Sequence, residues 1–335
     1  MVAQRLAGCP DARRSYTRLA GLKLGHRGRP AERFGGFLEA APLLFGSVCL
    51  PYVMWLTSYL EAPLMVLWKS IVLGIVQGLT EFLPVSSSGH LVVFSGLLKA
   101  GSTLAFDVAL HFGSLIALVI FFWGDIAGLF RGFLCTFRGK LSHEEARKRN
   151  MFWLIVAAII PSGVIGVMFS ATIEKAFASL YVVAAMFLVT AALLFLQYFA
   201  STTRTIREVG WKDALAIGIG QVFALLPGLS RSGTTMSVGV YRGLKQEDAA
   251  HFSFLMAIPT IAGAAIFKLK DFLQAGMSSG ALTEIGTGVV VSVLTSLVAI
   301  GLLLKVARKG KMQWFALYCV AAAVFTFAAH YFGFI

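Results

Sequence analysis

From residue 65 onward the chain consists of long apolar runs separated by short polar stretches. Strong runs cover about 104–124, 151–170, 177–199, 249–268, 284–304 and 313–333. Each reaches the roughly 20 residues a helix needs to cross about 30 Å of hydrocarbon. The runs do not alternate with period two, which argues against a closed barrel of short strands. A helix satisfies every backbone group within its own segment, so helix is the expected form in lipid. The expected fold class is all-α, a polytopic membrane protein.

Two further apolar regions, 66–98 and 212–241, are broken near their centres. The first breaks at Pro84-Val-Ser-Ser-Ser-Gly89, the second at Pro227-Gly-Leu-Ser-Arg-Ser-Gly233. Each half is too short to span a bilayer alone. Proline and glycine inside an apolar run are tolerated where protein or a polar cavity covers the freed backbone. Both regions therefore read as re-entrant helix–loop–helix elements. They resemble each other: Gln77 precedes Gly89 by 12 positions, and Gln221 precedes Gly233 by 12. The offset between the two regions is about 145 residues. Such an internal repeat marks paired half-structures in membrane proteins. The expected organisation is a membrane-embedded catalytic domain over 61–335, with repeat one at about 66–200 and repeat two at about 211–335.

Charge orients the halves. Basic stretches occur at 131–149, 204–212 and 305–311, and Lys/Arg-rich loops stay cytoplasmic. Counting spans from these loops, the first re-entrant element enters from outside and the second from inside. The repeats are thus expected to be inverted, with a site between their broken helices. Much of the net charge of +13 lies in these loops, and its distribution between apolar spans points away from nucleic acid. Only 13% of residues are charged, about half the soluble average. Cys9, Cys49, Cys135 and Cys319 show neither metal spacing nor a disulfide framework.

Residues 1–60 differ in kind. Eight basic residues between Arg5 and Arg33 precede an interrupted apolar stretch. This basic N-terminal extension reads either as a targeting leader or as the product of a start assigned too early, with Met54 or Met65 as the true start.

Ionisable groups at membrane depth are expensive, about 2.5–3.5 kcal/mol at a helix centre on insertion scales. Here they gather at the two breaks: Glu81 and His90 at the first, Arg231 at the second. Gln77 and Glu81 stand four apart, on one helix face. Their oxygens suit a hard divalent cation, or else the pair lines a cavity without metal. Ser86, Ser87, Ser88 and Gly89 open a half-helix that can offer hydroxyls and N–H groups to an anion. The competing reading for these serines is helix capping. Ser87 or His90 could attack phosphorus, with the other as base or acid. Gly228, Ser230, Arg231, Ser232, Gly233, Thr234 and Thr235 surround a guanidinium with hydroxyls at a helix start. That combination suits bidentate hydrogen bonding to phosphate. The structural alternative for Arg231 is an ion pair with Glu81 across the repeat. Asp107 and His111 read as polar packing between helices, and His251 and His330 have no evident partners.

Gln77-Gly-Leu-Thr-Glu81-Phe-Leu-Pro-Val-Ser-Ser-Ser-Gly-His90 and Pro227-Gly-Leu-Ser-Arg-Ser-Gly-Thr-Thr235 resemble the two signatures of the BacA-type undecaprenyl-diphosphatase family, from about residue 65 to the C-terminus. The resemblance implies hydrolysis of undecaprenyl diphosphate to undecaprenyl phosphate, which recycles the lipid carrier of peptidoglycan synthesis, and an association with bacitracin resistance. It implies a multi-pass protein of the bacterial inner membrane with its site facing the periplasm. It implies a Mg²⁺ or Ca²⁺ requirement, with Gln77 and Glu81 as the acidic motif and metal ligands. It places Ser87 and His90 in the first catalytic loop and Arg231, Ser230 and Thr235 in the phosphate loop. Taken with the residues themselves, the expected catalytic set is Glu81, Ser87, His90 and Arg231, and the expected phosphate-binding set is Ser86, Ser88, Gly228, Ser230, Arg231, Ser232, Gly233, Thr234 and Thr235. The expected partners are the polyprenyl diphosphate lipid, membrane lipids and a second copy in a homodimer, with no nucleic acid. Ser88-Gly89-His90 also matches the end of the Pro-Ser-Gly-His motif of type-2 phosphatidic acid phosphatases. That class needs a His six residues after the arginine, where this chain has Ser237. The remaining alternative is a lipid or solute transporter or flippase built on the inverted repeats.

Overall fold

The computed structural model describes residues 67–100, 104–137, 140–274 and 279–335, all within one compact unit, Pro63–Ile335. The extension at 1–60 and its two readings lie outside the described residues. The described residues are almost entirely helical and form no sheet; a single bridge joins Arg204 to Leu244. In chain order the helices are α1 (67–82), α2 (Ser87–Leu97), α3 (Leu104–Phe121), α4 (Trp123–Cys135), α5 (His143–Met168) and α6 (Ser170–Phe177). They continue as α7 (Leu180–Leu196), α8 (Trp211–Phe223), α9 (Arg231–Tyr241), α10 (Gln246–Gln274), α11 (Ser279–Arg308) and α12 (Trp314–Tyr331).

Five of these elements are long and apolar enough to cross a membrane: His143–Met168, Leu180–Phe199, Gln246–Lys268, Leu282–Arg308 and Trp314–Tyr331. They carry large apolar side chains on their outer faces, such as Ile160, Leu188, Val298 and Val324, all about half exposed or more. Apolar patches of that extent do not persist in water on a soluble monomer. The chain is a multi-pass membrane protein.

Both predicted breaks are present. α1 ends at Phe82 and α2 starts at Ser87; α8 ends at Phe223 and α9 starts at Arg231. α2 and α9 have 11 residues each, about 16 Å of helix, half a bilayer core.

One predicted span differs. The apolar run at 104–124 is not one straight helix, because α3 and α4 meet at Phe122 with an 81° bend. The Phe122 ring is buried, with centroids 5.7 Å from Phe254 and 5.3 Å from His251. Trp123 and Phe130 beyond the bend are exposed. Burying Phe122 while leaving Trp123 outside turns the chain. The basic stretch at 131–149 is also more helical than a loop, since α4 carries Arg131 and α5 carries Arg147 and Arg149. A capping box explains the early start of α5. Ser142 Oγ accepts from Glu145 N at 3.3 Å, and Ser142 N donates to Glu145 Oε2 at 2.9 Å.

The packing places the broken elements inside. α7 lies along α12, α3 along α11 and α5 along α8, while α9 is held among α7, α8 and α10. The main core contains Phe82, Leu118, Ile217, Met236, Phe252 and Phe254. At the base of α8 the buried Asp213 carboxylate joins three segments. It accepts from Arg204 at 2.7 and 3.2 Å, from Arg242 Nε at 2.8 Å and from Gly210 N at 3.0 Å. Arg204 also donates to the carbonyls of Arg242 and Glu208. The turn after α9 is thereby tied to the start of α8.

Candidate active site

The two breaks interlock. A β-carbon on Gly89 would stand 3.1 Å from Gly228 Cα, and one on Gly233 would stand 3.3 Å from Pro84 Cβ. Gly228 itself has φ +89, a conformation that favours glycine, and a β-carbon there would lie 2.4 Å from Val183 O on α7. Across the junction Ser232 Oγ donates to Leu83 O at 3.2 Å, and Gly228 N donates to Ser88 Oγ at 3.4 Å.

Glu81 is the centre of this junction. It is the last-but-one residue of α1 and is buried. Arg231, first residue of α9, donates to Glu81 Oε1, while Ser87, first residue of α2, donates to Glu81 Oε2. Gln77 Nε2 donates to Oε2 at 3.0 Å and lies 3.4 Å from Ser114 Oγ. His111 Nε2 stands 3.6 Å from Oε2. Burying a carboxylate without partners would cost several kcal/mol; here it has two direct donors, a guanidinium and a nearby imidazole. The ion pair with Glu81, the structural alternative for Arg231, is formed. It engages Arg231 NH2, and among the described residues the other guanidinium N–H groups have no hydrogen bond.

Ser87 and His90 do not pair with each other. Ser87 bonds Glu81, whereas His90 Nδ1 lies 2.7 Å from Ser86 O and its Nε2 lies 2.8 Å from Tyr318 Oη. The His90 ring is also edge-on to Phe187, with centroids 5.1 Å apart. Ser86 has φ +69, a strained geometry for a non-glycine residue, at the position just before Ser87.

The hydroxyls divide between capping and openness. Ser86 Oγ accepts from Gly89 N at 3.4 Å and Ser230 Oγ from Gly233 N at 3.0 Å, so both breaks are closed by a serine N-cap. Thr235 Oγ1 donates to Arg231 O at 2.8 Å and meets Ser253 Oγ at 2.6 Å. Thr190 on α7 takes Ser230 N at 3.0 Å. Thr234 Oγ1 is buried with no hydrogen-bond partner. The capping reading thus holds for Ser86 and Ser230, while Ser87, Arg231 and Thr234 keep donors or acceptors for other groups.

Gln77 Oε1 is buried without a hydrogen-bond partner, beside the Glu81 carboxylate. One neutral oxygen and one carboxylate fit the protein share of a Mg²⁺ or Ca²⁺ shell that phosphate and water complete. Among the described residues, no group of three His, Cys, Asp or Glu side chains could hold a metal by itself.

Sequence reasoning did not find Tyr318, Ser114, Ser253 or Thr190, which join the site from other helices. His111 was read as interhelical packing, and it faces Glu81. Its Nδ1 lies 2.8 Å from Asp107 O, which directs Nε2 inward. His251, expected to lack partners, has Nε2 3.3 Å from Asp125 Oδ2, out of line for a hydrogen bond. His330 packs edge-on against Tyr181.

The family model described as "Bacitracin resistance protein BacA" matches residues 70–325. Among similar proteins, the undecaprenyl-diphosphatase of Methanosphaera stadtmanae is 38% identical over 267 residues, covering 77% of this chain and 96% of that protein. The undecaprenyl-diphosphatase of Methanobrevibacter smithii is 39% identical over 272 residues, covering 77% and 96%. That of Halothermothrix orenii is 38% identical over 257 residues, covering 76% and 95%. With both signature motifs brought to one buried junction and the match running through nearly all the membrane-embedded part, the chain belongs to the BacA family.

Proposed function

We propose that this chain hydrolyses undecaprenyl diphosphate to undecaprenyl phosphate and inorganic phosphate, recycling the lipid carrier for peptidoglycan synthesis. It works as a multi-pass protein of a bacterial inner membrane, with the site open to the periplasmic side between two inverted repeats. The observation that carries the chemistry is Glu81 bonded at once to Ser87 and to Arg231.

Phosphoryl transfer needs positioning and charge stabilisation more than covalent help from the protein. The free N–H groups of Arg231 form two parallel bonds to the distal phosphate, as a guanidinium does with phosphate oxygens. The start of α9 adds positive potential, and Thr234 Oγ1 adds a hydroxyl. Ser87 Oγ gives its proton to Glu81 and attacks the distal phosphorus. The bond from that phosphorus to the bridging oxygen breaks, and its electron pair leaves with undecaprenyl phosphate. Water then attacks the phosphoserine, His90 takes the water proton, and Glu81 returns the serine proton as inorganic phosphate departs. A divalent cation held by Gln77 and Glu81 would neutralise phosphate charge.

Purified protein should release inorganic phosphate from undecaprenyl diphosphate in the presence of a divalent cation, and Ser87→Ala and His90→Ala should each abolish release. Translocation of intact lipid diphosphate with no phosphate release in any metal would replace hydrolysis with transport.

A further inference from the structure

We infer that Tyr318 is the proton relay through which His90 reaches the reacting water. The inference rests on His90 being the base proposed above. A backbone carbonyl only accepts, so the 2.7 Å contact of His90 Nδ1 with Ser86 O puts a hydrogen on Nδ1. In the neutral ring, Nε2 then carries the one basic lone pair. That lone pair is met at 2.8 Å by the Tyr318 hydroxyl, which therefore donates. The two rings lie nearly parallel, 12° apart with centroids at 5.6 Å, and Phe187 closes another side of the imidazole. His90 is only 5% exposed, whereas Tyr318 is 48% exposed. Tyr318 is the member of the pair that reaches the surface.

A proton bound for Nε2 thus meets Tyr318 first. As water attacks the phosphoserine, its proton passes to Tyr318 Oη while the Tyr318 hydrogen passes to Nε2. The products are a neutral tyrosine and an imidazolium, and no charge remains on the phenol. The Tyr318–His90 hydrogen bond then runs in reverse, with Nε2–H donating to Oη. A hydroxyl both donates and accepts, so the buried imidazole keeps a partner in each protonation state, which phenylalanine could not provide.

The test compares Tyr318→Phe, Tyr318→Leu, His90→Ala and wild type, each verified as folded by size-exclusion chromatography. Phosphate release gives kcat and KM, and carbethoxylation of His90 by diethylpyrocarbonate, followed by peptide mass spectrometry, gives the exposure of Nε2. Tyr318→Phe should lower kcat by about a hundredfold, the lower end for general acid–base catalysis, with KM within about twofold if binding is untouched. It should also speed His90 labelling, since the covering hydroxyl is gone. Tyr318→Leu should lower kcat at least as much. A packing role alone would leave Tyr318→Phe like wild type, because the ring is kept. Wild-type kcat in Tyr318→Phe with His90→Ala inactive overturns the relay and leaves the proposed function standing. A lower kcat with unchanged His90 labelling also overturns it, because the loss would not pass through Nε2. Wild-type kcat in His90→Ala overturns the base and the relay together.

Discussion

Gly228→Ala isolates how much of the activity depends on the fit between the two breaks. Gly228 has φ +89 and Gly243 has φ +90, so an alanine at either position bears the same backbone penalty, about 1–2 kcal/mol. The surroundings differ. At Gly243 the new β-carbon meets Arg204 Cδ at 3.4 Å, an ordinary van der Waals contact that requires no shift. At Gly228 it meets Val183 O at 2.4 Å and Val183 Cα at 2.9 Å, backbone atoms of α7. Restoring an ordinary contact near 3.4 Å requires the loop to retreat by about 1 Å, within a tightly packed interior. The loop carries Arg231 three residues later, and Gly228 N and O bond Ser88 and Thr190. A displacement of about 1 Å in a positioning element lowers rates about a hundredfold, which corresponds to roughly 2.7 kcal/mol of transition-state stabilisation. The expected result is therefore kcat/KM down about a hundredfold or more in Gly228→Ala. Gly243→Ala should lose stability by about 1–2 kcal/mol with near-normal turnover in the folded fraction. Phosphate release on undecaprenyl diphosphate and thermal unfolding in detergent read the two effects separately. Equal turnover in the two variants would refute the reasoning, because the collision with α7 would then have no consequence at the site.

Arg231→Lys should lower kcat/KM about a hundredfold, since a single ammonium cannot hold Glu81 and two phosphate oxygens in one plane; wild-type kinetics would remove Arg231 from phosphate binding. Asp213→Asn should destabilise the fold by about 1 kcal/mol, the scale of a solvent-screened ion pair, because Arg204 and Arg242, both partly exposed, lose their common carboxylate. An unchanged unfolding temperature would show that the clamp contributes nothing. Chelation should abolish phosphate release, Mg²⁺ or Ca²⁺ should restore it, and Gln77→Ala should raise the metal concentration needed; full activity in chelator would dismiss the Gln77–Glu81 cation site.

Much of the site was legible before any coordinates. Polar and ionisable groups are so costly at membrane depth that Glu81, His90, Arg231 and the serine clusters stood out against apolar neighbours. The Pro–Gly punctuation located both breaks. The serine caps were legible as one of two readings, because Ser86 and Ser230 open the two half-helices where hydroxyls commonly accept a backbone N–H. His111 was visible but read as interhelical packing: position on a helix face does not say which neighbouring helix that face meets.

What the sequence alone determined is the set of membrane-length helices, the two interrupted ones and the concentration of chemistry at their breaks. These follow from run length and residue type, which are local properties. The tertiary structure decided the partnerships: Ser87 with Glu81 instead of His90, Arg231 with Glu81 across 150 positions, and Tyr318 with His90 across 228. It also decided the 81° turn at Phe122. Periodicity tells which side of a helix is apolar, but contact between distant side chains depends on how far helices slide and rotate as they pack, and no local pattern carries that information.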